Sequence, residues 1–291
     1  MSYLYLSLLC ATTIAAGCST PTTAAMSQGG AAVTNSQLSK LSDEFDNAAS
    51  LSNWKRIEQT EGWGASQLES GEIKGGELVL MPFASSWYQD YRGVLLYKEV
   101  EGDFVVSTKV NSTSRDGRSA PRVSYSLGGI MVRTPRSDSA NTWRPGQENY
   151  VFLSIGSADQ PGNFQFEVKT TQQSVSTLEK TPAASGEAIL QFIRSGSNIA
   201  LLKKQNGQWS VHKRYTRSDM PSTLQVGFTV YTDWDSVSKL QPPQHNRTVI
   251  RNGNPDLLAK FDYMRFHAPK LGRLDQMSDS QLIQTYGDSV L

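Results

Sequence analysis

LLKKQNGQWSV, residues 201–211, sets Asn206-Gly207 between two apolar runs. Both central residues of a type I′ turn need φ > 0, which Asn and Gly tolerate best, and the twist of that turn suits two antiparallel strands. The stretch therefore predicts a β-hairpin. Its neighbours extend the pattern. "AILQFIRS" (188–195) and "NIALLKK" (198–204) precede the turn, and "QWSVHKRY" (208–215) and "LQVGFTVYT" (224–232) follow it. Upstream, Phe104, Val106 and Thr108 alternate with Val105, Ser107 and Lys109 in "DFVVSTKV", and "NYVFLSIG" (149–156) alternates in the same way. In "NFQFEVKT", Phe164, Phe166 and Val168 alternate with Gln165, Glu167 and Lys169. Period-two alternation marks strands with one buried face. About ten or eleven such runs, with almost no helical periodicity before residue 270, predict an all-β, two-sheet antiparallel sandwich of the jelly-roll kind. Two Gly/Ser/Pro loops, "NSTSRDGRSAPR" (111–122) and "PRSDSANTWRPGQ" (135–147), are long enough to carry function.

The ends read differently. Leu4 to Gly17 is apolar and ends in small residues, too short for a bilayer-spanning helix of about 20 residues, and predicts a signal peptide. Ala15-Ala16-Gly17-Cys18 resembles a bacterial lipobox, with Cys18 as the lipidated residue, although Ala15 stands where Leu is favoured and the preceding segment has no Lys or Arg. The Ser/Thr/Ala-rich run after it predicts a flexible tether to residue 40. Ser19 after the Cys is similar to lipoproteins of the outer membrane. The expected organisation is a signal peptide (1–17), Cys18 with its tether (18–40), a sandwich (41–269) and a helical tail (270–291). In the tail, Ser278 and Gln281 make a capping-box spacing, and Leu282, Tyr286 and Val290 share one helical face with Ile283 beside them. That helix is expected to dock on the sandwich; a partner-binding tail is the alternative.

Across 291 residues, 28 Lys and Arg balance 27 Asp and Glu in an interspersed pattern. This argues against nucleic acid as a partner and against a membrane contact other than a lipid anchor. The cysteines are Cys10 and Cys18, so no disulfide is expected in the mature fold.

Several stretches, in order, resemble the concanavalin A-like lectin/glucanase superfamily, most closely the domains at the C-terminus of bacterial β-xylosidases. They are "FDNAASLSNW" (45–54), "GDFVVSTKV" (102–110), "LGGIMVR" (127–133), "ENYVFLSIG" (148–156), "LQVGFTVYT" and "FDYMRF" (261–266), together spanning residues 42–268. The resemblance implies the same jelly roll, with a short C-terminal helix here, and a polysaccharide or oligosaccharide partner. The Glu-x-Asp-x-x-Glu spacing of the glucanase branch is absent, and so is the Gln-x-His motif of the alginate-lyase branch, since Gln244 adjoins His245.

Glycoside hydrolysis needs a pair of carboxyl groups, and Glu167 facing Asp233 is the candidate pair, with Glu148, Asp235 and Asp262 also near strands. Lyase chemistry would draw on Arg133, Tyr150, Lys169, His212 and Tyr231. The same side chains would equally make an ordinary polar sheet face. His212, His245 and His267 lack metal-ligand spacing; a structural Ca²⁺ on Asp43, Asp46 or Asp262 rests on analogy alone. Binding is the favoured reading. "SSWYQDYRG", "NTWRPGQENY" and "YTDWDS" offer Trp87, Tyr88, Trp143 and Trp234 for stacking on sugar rings, beside Arg92, Arg133, Glu167, Tyr231 and Asp233 for polar contacts. Trp54 and Trp209, inside strand-like runs, are assigned to core. The expectation is a lipid-anchored envelope protein that binds a carbohydrate without turning it over. A glycoside hydrolase or polysaccharide lyase, or a protein-interaction module acting through the tail, are the alternatives.

Overall fold

The computed structural model describes residues 34–270 and 272–288. The signal peptide, Cys18 and most of the tether lie outside them, as does Val290. In chain order the strands are β1 (Lys55–Arg56), β2 (Leu68–Lys74), β3 (Glu77–Pro82), β4 (Val94–Glu101), β5 (Phe104–Thr113), β6 (Ser126–Arg133), β7 (Tyr150–Ser157) and β8 (Gln165–Gln172). They continue as β9 (Val175–Pro182), β10 (Glu187–Ser195), β11 (Asn198–Gln205), β12 (Gln208–Thr216), β13 (Thr223–Tyr231), β14 (Leu258–Phe261) and β15 (Arg265–His267). Short helices are α1 (Asn35–Ser39), α2 (Ile57–Thr60), α3 (Trp234–Val237), α4 (Pro242–Asn246) and α5 (Asp279–Tyr286).

The strands form two antiparallel sheets, one of seven strands in the order β1-β4-β13-β6-β7-β8-β9 and one of eight that includes β12-β11-β10-β5-β14-β3-β2. The Asn206-Gly207 hairpin joins β11 to β12, with both residues at positive φ and Gln205 paired with Gln208.

Alternation places the core. On β13, Leu224, Val226, Phe228 and Val230 point between the sheets, where Phe228 meets Phe261 at 4.6 Å and Trp54 at 4.9 Å. Trp54 is core as expected. Gln225, Gly227, Thr229 and Tyr231 point to the other side. Close strand approach fixes Gly227: a Cβ there would lie 1.8 Å from the Leu96 carbonyl oxygen.

Residues 34–40, assigned to the tether by composition, belong to the fold. Thr34 and Gln37 cap α1 reciprocally, and Leu38 is buried in the core. The expected capping box on α5 forms between Ser278 and Gln281. Leu282 and Tyr286 then pack on Val105, Ile193, Ala200 and Leu202, on the outward face of the eight-stranded sheet. Trp209 lies half-buried at the edge of this contact, with Nε1 donating to Asp288, and so covers the tail rather than the sandwich core. Among the described residues, no helix is long and apolar enough to cross a membrane.

Candidate functional site

The outward face of the seven-stranded sheet collects polar side chains by the same alternation that fills the core. Arg133 from β6, Tyr150 from β7, Glu167 and Lys169 from β8 and Tyr231 from β13 all stand on it. His212 does not; it lies on β12 of the other sheet. The face is not an open groove. Residues 83–93, 134–149 and 234–250 fold over it, together with α2.

At one end the cover is held by ion pairs. Arg133 is fully buried and donates from Nη1 to Glu61 at 2.6 Å and from Nε and Nη2 to Glu148 at 2.8 and 2.9 Å. Arg136 meets the same Glu148 at 3.0 Å and Asp138 at 2.5 Å. Burial works against a charged Glu148, but the two guanidinium groups outweigh it and hold the carboxyl below its ordinary range. Arg92, also buried, donates to the carbonyls of Ala65 and Asn246 and lies over the Trp63 ring at 5.1 Å.

Beside this block a pocket of about 210 Å³ remains, lined by Ser86, Tyr88, Tyr125, Lys169, Leu178 and Trp234. Tyr88 and Trp234 meet edge to face at 5.6 Å and form its aromatic wall. Lys169 forms the polar floor. Its Nζ donates to the Trp87 carbonyl at 2.6 Å, lies 2.9 Å from Glu167, and sits 5.0–5.5 Å from the ring centres of Tyr88, Phe152 and Tyr231. Burial lowers the Lys169 pKa, and Glu167 opposes that shift. Burial, with Glu167 adding to it, drives the Tyr231 phenol well above its usual range, while Tyr231 Oη hydrogen bonds Ser154 at 3.1 Å.

Backbone strain gathers at this pocket. Gln89, next to Tyr88, has φ 51°, Tyr125 itself 52°, and Asp233, next to Trp234, 63°. Left-handed backbone at non-glycine residues costs about 1–3 kcal/mol each and concentrates at functional sites. Asp233 shows what holds it: its carboxylate accepts from Ser236 N at 3.2 Å and Asn254 N at 2.6 Å. Asp233 thereby caps α3 and aims Trp234 at the pocket.

The structure thus brings together Tyr88 and Trp234, with Glu167 and Tyr231 beneath the floor. It corrects other expectations. Trp87 is fully buried, donates from Nε1 to the Val94 carbonyl, and meets Tyr150 edge to face at 5.5 Å, so its ring is not open to a sugar. Arg133 is spent on internal partners, Arg92 is buried with only Nη2 donating and lies outside the pocket lining, and Trp143 packs half-buried on Trp63 and Arg136, also outside that lining. Of the proposed carboxylate pair, Asp233 accepts from backbone amides and Glu167 is fully buried beside Lys169, and neither lines the pocket. Asp43, suggested for Ca²⁺, accepts instead from Trp54 Nε1, Ser50 Oγ and Phe45 N, and Asp46 and Asp262 are exposed. Among the described residues, no group of three or more His, Cys, Asp or Glu is placed to hold a metal ion. The sequence reading missed Tyr125, Ser86 and Leu178. Tyr125 carried one signal, an aromatic residue just ahead of the "SLGGIMVR" strand.

No family model and no curated protein matches the chain. Solved structures do. A Saccharomyces cerevisiae protein of unknown function superposes with a TM-score of 0.52 at 14% identity, over 76% of this chain and 99% of that one. The GH43 protein BlXynB of Bacillus licheniformis superposes with a TM-score of 0.51 at 14% identity, over 79% of this chain, which spans 39% of that protein. At such identities the likeness is one of fold, and the fold is the concanavalin A-like jelly-roll sandwich.

Proposed function

We propose that the protein binds a carbohydrate in the pocket walled by Tyr88 and Trp234. One observation carries the reading: two aromatic rings held edge to face over a buried ammonium, in a pocket whose three backbone supports are strained. Apolar walls with a few fixed polar groups are the ordinary make-up of a small-ligand site. A sugar ring fits that make-up, with C–H faces for the rings and hydroxyls for the floor. The sandwich fold supports the reading without specifying it. Binding without turnover is favoured because the nearby carboxylates are already engaged, Glu61 and Glu148 by Arg133 and Glu167 by Lys169. The N-terminal sequence adds a location: Cys18 anchors the domain by lipid in a bacterial envelope. Cys18→Ala should then release the chain from the membrane fraction.

The test is titration of the full chain with a panel of oligosaccharides, followed by Trp fluorescence, with reducing ends assayed in parallel. Saturable quenching without new ends is expected. Trp234→Ala and Tyr88→Ala should each weaken binding by about tenfold or more while leaving the fold intact. Binding that both variants leave unchanged would remove the pocket from the account, and new reducing ends would replace binding with hydrolysis.

A further inference from the structure

Lys169 carries more chemistry than a binding floor uses. Its side chain rises from the outward face of the seven-stranded sheet, with Phe152 of β7 and Leu178 of β9 as its cross-strand partners. Its head reaches the roof. Nζ donates to the carbonyl of Trp87, between Ser86 and Tyr88, and both of those residues line the pocket together with Lys169 and Leu178. The amine therefore lies where sheet and roof meet at the pocket. The rings of Tyr88, Phe152 and Tyr231 surround it at 5.0–5.5 Å, and the residue is 2% exposed.

An amine desolvated among rings is the usual setting of a lysine that attacks a carbonyl carbon. An ammonium has three N–H donors. Here one goes to the Trp87 carbonyl and one faces Glu167 at 2.9 Å. The third tetrahedral position is left for a ligand. It is a donor while the group is charged and a lone pair once it is neutral. Neutralisation needs no acceptor from solvent: a proton passed to Glu167 turns the buried ion pair into two neutral groups and leaves the net charge unchanged. Burial already draws the Lys169 pKa down, against the pull of Glu167.

We infer that Lys169 captures a small aldehyde with an apolar body in this pocket, as a Schiff base. The inference goes beyond the carbohydrate reading and does not rest on it. Its balance closes on residues already in place. Glu167 takes one ammonium proton, and the nitrogen lone pair forms a C–N bond to the aldehyde carbon. The C–O bond then breaks. The oxygen leaves as water with two former ammonium hydrogens. One passes to it directly, and the other returns from Glu167 through the nitrogen, so Glu167 itself need not touch the ligand. The iminium keeps one N–H on the restored Glu167 carboxylate, and the Trp87 carbonyl gives up its hydrogen bond. Tyr88, Tyr125, Leu178 and Trp234 wall the space for the body of the aldehyde.

The experiment incubates the full chain near neutral pH with limiting benzaldehyde and cyanoborohydride, which reduces an iminium to a stable amine. The label on each lysine is then read by peptide mass spectrometry. Lys169 should carry about tenfold more label than the exposed Lys74 and Lys239. Label at Lys169 equal to or below theirs would overturn the inference. Leu178→Trp, at a half-buried position on β9, should fill the pocket and lower the label at Lys169 alone, with the circular dichroism of the fold unchanged. If Lys169 is labelled as fast in that variant, the reagent arrives by unfolding rather than through the pocket, and the inference falls. The oligosaccharide titration is a separate measurement, so the failure of either reading leaves the other standing.

Discussion

Lys169 Nζ lies 2.9 Å from the carboxylate of Glu167, two residues along the same face of β8, and both side chains are almost wholly removed from solvent. Removing one partner of a buried ion pair leaves an uncompensated charge, at about 3–5 kcal/mol, whereas replacing both is often close to neutral. Lys169→Met should therefore destabilise the fold by about 3 kcal/mol or more in urea unfolding. Lys169→Met combined with Glu167→Gln should recover most of that loss and still bind no glycan. A double variant as unstable as the single one would show that Lys169 matters for packing under Tyr88, Phe152 and Tyr231 rather than for its charge.

His245 predicts an acid sensitivity with a definite sign. It is fully buried on α4, edge-on to Tyr91 at 5.4 Å, with Nδ1 3.0 Å from Asn246 Oδ1. Burial pushes its pKa down from 6.5 to about 4; the Asn246 hydrogen bond opposes this, and the Arg92 charge adds to it. Between those values the unfolded chain binds a proton that the folded chain does not. Stability should thus be full above pH 6.5 and fall as the pH drops toward 4, by about 3 kcal/mol from this residue. His212, half-buried on β12 and also lowered to about 4 by burial, acts in the same direction. His245→Gln should flatten the profile of unfolding free energy over this window by roughly half, and an unchanged slope would mean that His245 titrates normally.

The tail gives a third prediction. Leu282 and Tyr286 cover apolar side chains on the outward face of the eight-stranded sheet, on the side of the sandwich away from the pocket. Leu282→Ala should cost about 2–3 kcal/mol. A chain ending before Ser278 should bind an apolar dye and melt earlier, yet keep its glycan affinity. If truncation instead leaves stability and dye binding unchanged, α5 is not a structural cover and is free for a partner.

These sites show where the sequence could be read and where it could not. Alternation located the strands, the Asn206-Gly207 pair located a hairpin, and Ser278 with Gln281 located α5, because each signal is local. The same alternation put Arg133, Glu167, Lys169 and Tyr231 on one sheet face. It could not say that loops roof that face, because cover is a tertiary fact with no period. "SSWYQDYRG" reads as surface for that reason: Tyr88 reaches the pocket wall, while Trp87, one residue earlier, turns inward onto Tyr150. Asp233 and Trp234 divide in the same way, one capping a helix and the other lining the pocket. The distinction rests on a left-handed backbone that residue type did not announce.

That backbone supplies the last prediction. Gln89 is exposed, sits at φ 51°, and anchors its loop by donating from its backbone N to Ser176 Oγ at 2.7 Å. Glycine has no Cβ penalty in this region, so Gln89→Gly removes about 1–2 kcal/mol of strain. Part of that gain is returned, because glycine also gives the unfolded chain more freedom. The net change should be a stabilisation of about 0.5 kcal/mol by chemical denaturation. Tyr88 immediately precedes Gln89 in the chain, and a softer backbone there should let its ring leave the wall. Glycan affinity should fall even as stability rises. A variant that gains both would mean that the strain at Gln89 only closes the loop, and that the edge-to-face setting of Tyr88 on Trp234 is held by packing alone.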